Sequence, residues 1–249
     1  MKLFILFASM LISVPSSHAQ DSCVAIQPPP VETPAKASRL WGRNSLFWPQ
    51  HATLRVKFLA GSERQRKAAW QRFAKVDALV NLSFVQVTTG HSDIRVRFDF
   101  GKGHWSYVGR GASSIAASQP TMNLGLSAAV IGGDSTEEWD RVATHEMLHA
   151  IGFDHEHQHP AHGIPWDPVR VYEYYATTQG WTRAEIDRQV LKRYTGNEFR
   201  GTKFDPASIM QYPVPPTLTT NGFSVGWNTK LSRSDINFLQ LMYPPKKAK

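Results

Sequence analysis

The chain opens on an apolar run from Leu3 to Val14 behind Lys2, too short to span a bilayer comfortably, and then loses all periodicity until about Arg43. Residues 20–43 carry Gln27-Pro28-Pro29-Pro30 and Thr33-Pro34 and read as a linker or short pro-segment. From residue 44 onward, order becomes periodic. Leu54, Val56 and Phe58 alternate with Arg55 and Lys57, the period-2 pattern of a half-buried strand. Behind Ser62-x-x-Gln65, a capping box, Trp70, Phe73, Val76 and Val80 fall on one helical face and predict a helix through about Val80. Leu82 to Val87 and the set Ile94, Val96, Phe98 predict two further strands, and Ser113 to Leu126 one or two more. A second long helix is predicted from near Ser135, capped by Ser135-x-x-Glu138, to Gly152.

After His155 the elements shorten. Asp167-Pro168 is an N-cap followed by proline at the first helical position, Thr182-x-x-Glu185 is another capping box, and Ser232-x-x-Asp235 opens a terminal helix through Leu241. There is no internal repeat. Strands and long helices followed by an irregular half make an α+β class, and 249 residues suffice for one substantial core or two lobes of one. Residues 1–19 read as a secretory signal peptide, because Ser17-His18-Ala19 places small residues at the cleavage positions. A secreted or periplasmic protein without a membrane anchor is expected. Loss of Lys2 with that peptide leaves 27 basic against 20 acidic residues, a diffuse excess that serves solubility and marks no nucleic-acid partner. Cys23 is the single cysteine, so no internal disulfide can form.

The chemistry is concentrated between His145 and His155. His145 and His149, four apart on a helix, can aim ring nitrogens at one metal ion, with Glu146 beside them. The third ligand cannot come from the same helix. Gly152 tolerates the left-handed conformation that ends a helix and turns the chain back, which would bring His155 to the metal. Three protein ligands leave a fourth position open for water, the mark of a catalytic rather than a structural zinc. Glu146, flanked by two ligands, is positioned as general base and then acid. His-Glu-x-x-His alone also suits a solvated helix face, but five fixed positions over this span arise by chance on the order of once in ten thousand chains. Six of the ten histidines lie between His145 and His162, and His157, His159 and His162 read as solvated or supporting residues rather than a second metal site.

Three further segments make the chain resemble the astacin family of metzincin zinc proteases over roughly residues 46 to 244: Gly152-Phe153-x-His155-Glu156-His157; Ser208-Ile209-Met210-Gln211-Tyr212, about 55 residues beyond the third histidine; and Trp105-Ser106-Tyr107-Val108-Gly109-Arg110. The resemblance implies a two-lobed metzincin fold. Its N-terminal lobe would hold a twisted, mostly parallel sheet with an antiparallel edge strand and two long helices; the C-terminal lobe would be irregular with a terminal helix. The catalytic domain would cover 44–249, its upper lobe about 44–152 and its lower lobe about 153–249. It also implies one catalytic Zn2+ on His145, His149 and His155, with Met210 as an apolar floor. By the same likeness Tyr212 would be an extra ligand that swings out to support the transition state, and Glu156 would meet, through water, the N-terminus created by pro-segment removal. The implied activity is a secreted zinc-dependent endopeptidase acting on protein or peptide substrates.

The chain also departs from that family. His104 stands where animal relatives carry a disulfide cysteine, Gln211 stands where many have histidine, and the inhibitory Phe-x-Gly-Asp motif is absent between Gln20 and Asn44. Cys23 reads either as a thiolate that blocks zinc or as an incidental thiol. Extended substrates are expected to add a strand to an exposed sheet edge, for which Ser113 to Ser118 is the candidate. Two alternatives remain: a catalytically silent zinc-stabilised peptide-binding module, which would need neither Glu146 nor Tyr212, and a zinc hydrolase of a nonprotein amide.

Overall fold

Alternation in the sequence becomes a twisted sheet of β1 (Cys23–Ile26), β2 (Thr53–Phe58), β3 (Ser83–Gln86), β4 (Ile94–Arg97), β5 (His104–Tyr107) and β6 (Met122–Leu124). A computed structural model of the protein describes residues 23–26, 42–128, 130–131, 136–161, 163–195 and 203–245. The 1–19 segment, the expected Ser135 cap and His162 lie outside them. Strand order is β1-β5-β6-β4-β2-β3. The pairs β2–β3, β2–β4 and β4–β6 are parallel, whereas β5 runs antiparallel to β6. The mostly parallel sheet with an antiparallel strand at one side is therefore present. One strand more lies outside it: β1, within the stretch that reads as a linker, pairs parallel with β5, Cys23 opposite His104 through Ile26 opposite Tyr107.

Helix α1 (Glu63–Asp77) starts where the capping box predicts. The Ser62 hydroxyl accepts from Gln65 N at 3.3 Å while Ser62 N donates to Gln65 Oε1 at 2.8 Å. It stops at Ala78, short of the expected Val80, which instead enters the core from the following turn. Helix α2 (Thr136–Ala150) packs across β5 and β6 and against α1. Leu54, Val56, Phe73, Ile94, Val96, Met122, Leu124, Trp139, Met147 and Leu148 form the main core between sheet and helices. The later elements are α3 (Pro168–Gln179), α4 (Arg183–Ile186), a single π-helical turn (Asp187–Leu191) and α5 (Arg233–Met242). Val171, Tyr175, Ile186, Val190 and Leu218 make a smaller core beneath α3. The Asp167, Thr182 and Ser232 caps all close as their spacing predicts.

The expected edge strand at Ser113 to Ser118 does not form. Residues Gly109–Ser114 are a 3-10 turn, and the Ile115 carbonyl within the expected strand, with those of Ala112 and Gln119 flanking it, points inward to Arg95. Its guanidinium donates to Gln119 O at 2.7 Å, Ser92 O at 2.8 Å and Ile115 O at 3.0 Å, with Ala112 O at 3.4 Å. Arg95 is only 3% exposed, so a strand residue that the period-2 pattern would place in solvent is the plug of this loop.

Candidate active site

Helix α2 ends in a Schellman arrangement. Gly152 N donates to His149 O at 2.9 Å and Phe153 N to Leu148 O at 3.1 Å, with Gly152 at φ +113°. The chain then reverses, so that His145 and His149 from α2 and His155 from beyond the turn converge, all buried, with ligand nitrogens within 4.8 Å of one another. His155 Nε2 lies 3.1 Å from His145 Nε2 and 3.0 Å from His149 Nε2. Tetrahedral zinc with Zn–N of about 2.0–2.1 Å needs roughly 3.3–3.4 Å between ligand atoms, a few tenths of an ångström more.

The outer nitrogens decide which face of each ring is basic. His145 Nδ1 donates to Ile209 O and His149 Nδ1 to Phe153 O, each at 2.7 Å, which leaves both Nε2 lone pairs facing the centre. Burial, reinforced by the neighbouring His149 ring, holds His145 well below the ordinary histidine range. Burial lowers His149 to about 4, and burial with repulsion from His149 and His145 lowers His155. Neutral imidazoles are the metal-binding form, so this donor set can hold a metal ion. Glu146 is 0% exposed, beside the first ligand on the same helix.

Tyr212 arrives on the turn at Ser208–Gln211. Met210 N donates to the Ser208 hydroxyl at 3.0 Å, Gln211 N to Ser208 O at 3.1 Å, and Glu156 N to Met210 O at 2.9 Å. Met210 is buried in the main core. The Tyr212 ring centroid lies 4.3 Å from that of His155 and 4.3 Å from that of His157, the latter nearly parallel at 27°. His157 is thus not solvated: it is fully buried, bonds Gln189 O through Nε2 at 2.8 Å, and backs the tyrosine. His159 is buried as well, its Nδ1 accepting from Ala161 N at 2.9 Å. Gln211 has a use the sequence does not disclose, because its side-chain amide donates to Tyr212 O at 2.7 Å.

Below the histidines Glu156 accepts from Asp205 N at 2.8 Å and, with Asp154, Ser208 and Asp235, borders a cavity of about 20 Å³, room for one water. Burial pushes its carboxyl up to about 8.

Above them His104 faces Arg141 and Glu138 of α2, where Arg141 bonds Glu138 through two nitrogens at 2.8 and 2.5 Å. Burial, with added repulsion from Arg141, pushes His104 down to about 4. The unfolded chain protonates this ring near pH 6.5, the folded chain only near 4. Its contribution is therefore complete above pH 6.5 and is lost as pH falls from there toward 4, on the order of 2–3 kcal/mol. His104→Gln is expected to flatten that limb. Urea unfolding of both chains at pH 7 and pH 5, metal-loaded in each case, measures it, and equal pH slopes would refute the assignment.

No protein-family model matches the chain. The structure does match that of myroilysin, at 36% sequence identity and a TM-score of 0.76, covering 82% of this chain and 98% of that one. The chain belongs to the astacin family of zinc metalloproteases. A second myroilysin crystal structure gives 35% identity and a TM-score of 0.62 over 84% of this astacin chain and 90% of that one. The hatching-enzyme zinc-protease HCE-1 of Oryzias latipes shares the fold, with a TM-score of 0.56 at 16% identity over 85% of this chain and all of that one. Blastula protease 10 of Paracentrotus lividus is 28% identical over 178 residues, 65% of this chain. The matched stretch is 26% of that curated relative's length.

Proposed function

We propose that this astacin is an exported endopeptidase that hydrolyses peptide bonds with one zinc ion held by His145, His149 and His155. The observation that carries the proposal is the convergence of three buried imidazoles around one point with Glu146 buried beside the first of them. When bound there, zinc supplies Lewis acidity and lowers the pKa of a water to about 7. Glu146 takes the proton of the attacking water and passes it to the departing amine. Tyr212, whose ring rests against those of His155 and His157, donates its hydroxyl to the oxyanion in this reading. Among the described residues no helix is long and apolar enough to cross a membrane.

Segment 20–43 acts as a pro-segment in this proposal. β5 is the strand that would present its free edge to an extended substrate, and β1 occupies that edge. Its removal frees the edge, and the new N-terminus is received by Glu156 across the single-water cavity. The Cys23 side chain lies outside what the structure describes.

The test is incubation of the full chain, before and after limited proteolysis of the N-terminal segment, with a diverse peptide mixture and mass spectrometric identification of cuts. Cleavage that appears after trimming and disappears with a chelator supports the proposal. Retention of peptides without cuts would instead establish the binding module, and neither cuts nor retention would leave the nonprotein amide.

A further inference from the structure

Asp235 belongs to a helix cap and to the metal site at once. As the N3 residue of the α5 capping box, its Oδ2 accepts from Ser232 N at 2.9 Å, and its backbone N–H donates to the Ser232 hydroxyl at 2.9 Å. The same Oδ2 accepts from Ile209 N at 2.9 Å, and Oδ1 accepts from the Ser208 hydroxyl at 2.6 Å. Residue 209 is thereby pinned on its N-terminal side. Its own carbonyl, on the other side, is the group that accepts from His145 Nδ1 at 2.7 Å.

We infer that Asp235 is a positioning residue for the metal centre, acting through Ile209 on the orientation of His145. The carboxylate is only 9% exposed and spends its acceptor capacity on three donors, two of which belong to the turn beneath the histidines. A buried carboxylate must be satisfied somewhere, and α5 needs only Ser232 N for its cap. The bonds to Ser208 and Ile209 are in excess of capping. They hold fixed the Ser208–Ile209 peptide, which sets the position of the next peptide, whose carbonyl orients His145, and loss of an outer contact to a ligand costs about 10–100-fold in metal affinity. The Ser232 hydroxyl ties separately to Asp205 Oδ2 at 2.7 Å, and Asp205 N in turn donates to Glu156, so this branch reaches the site by a route that does not pass through Ile209 or His145.

The inference rests on the zinc reading of the three histidines, and the test distinguishes the two. Zinc affinity of the full chain is measured by competition with a chromophoric chelator, alongside the visible spectrum of the cobalt-loaded protein. A wild-type chain that binds no zinc would overturn the zinc reading itself. Asp235→Glu keeps the acid at N3, where glutamate caps equally well, but moves the carboxylate out of register with Ile209 N; a loss of about 10–100-fold in zinc affinity and a shifted cobalt spectrum are expected. Asp235→Asn retains an acceptor for both N–H groups and a donor for Ser208, and is expected to stay within several-fold of wild type. Ser232→Ala removes the cap hydroxyl and its tie to Asp205 but leaves the Asp235 bonds to Ser208 and Ile209, and should lower the melting temperature with a far smaller loss of zinc affinity than Asp235→Glu. Wild-type affinity in a folded Asp235→Glu protein, or an equal loss in Ser232→Ala, would overturn the inference.

Discussion

Glu146→Gln is expected to retain zinc while peptide turnover falls by roughly a hundredfold or more. The substitution preserves shape and burial but removes the basic oxygen. Glu146 sits one residue after His145 on α2, so it shares the anchoring of that ligand and is entirely buried. Metal affinity depends on the three imidazoles and their outer bonds to Ile209 and Phe153, none of which the change touches. In the proposed reaction proton transfer falls to Glu146, whereas the group that could hold the metal comprises His145, His149 and His155. Metal content by atomic absorption and kcat/KM on any cleaved peptide give the two readouts. Unchanged turnover at full metal loading would remove Glu146 from the reaction.

Gly152→Ala is expected to cost several kcal/mol of stability, on the order of 10 °C in melting temperature, and to weaken zinc binding. Two effects add. At φ +113° a side chain is strained whatever its surroundings, by about 1–3 kcal/mol. A Cβ there would also lie 2.7 Å from Phe47 Cδ1, 3.1 Å from Cε1 and 3.3 Å from the Phe47 backbone. Phe47 cannot give way easily, since its ring is wedged edge-on against Phe153, Phe238 and Tyr243. Relief must come from the turn, and the turn positions His155. Gly180, the αL residue that ends α3 at φ +68°, is the control, because a methyl group added there would meet nothing within 4 Å. Gly180→Ala should cost only about 1–2 kcal/mol and leave zinc affinity alone. Equal losses in the two variants would mean that the close packing around Gly152 is irrelevant.

Much of the site was legible before any fold was known, and the reason is local. His145, Glu146, His149 and Gly152 belong to one helix and its end, where 3.6-residue periodicity and glycine's access to positive φ translate spacing directly into geometry. The caps at Ser62, Asp167, Thr182 and Ser232 were readable for the same reason, each being a hydrogen bond between residues two or three apart. Edges and supports were not. Ser113 to Ser118 carried apolar and small residues compatible with a strand, yet Arg95, 17 to 24 positions earlier, claims the Ile115 carbonyl within it and the Ala112 and Gln119 carbonyls on either side. His157 read as either solvated or supporting, and only the turn at Met210, which brings Tyr212 onto its face, decides for support.

Asp235 shows the boundary most clearly. By itself the amino-acid sequence determined that it caps α5, that three histidines stand at metal-ligand spacing with one glutamate beside the first, and that strands precede an irregular half. Only the tertiary structure decided that the same carboxylate clamps residues 208 and 209, 27 and 26 positions away, that His104 is buried against Arg141, and that Cys23–Ile26 closes the sheet edge at β5. Contacts within one helical turn follow from backbone geometry and are written in spacing. Contacts across the chain depend on which surfaces the core brings together, and no local pattern records them.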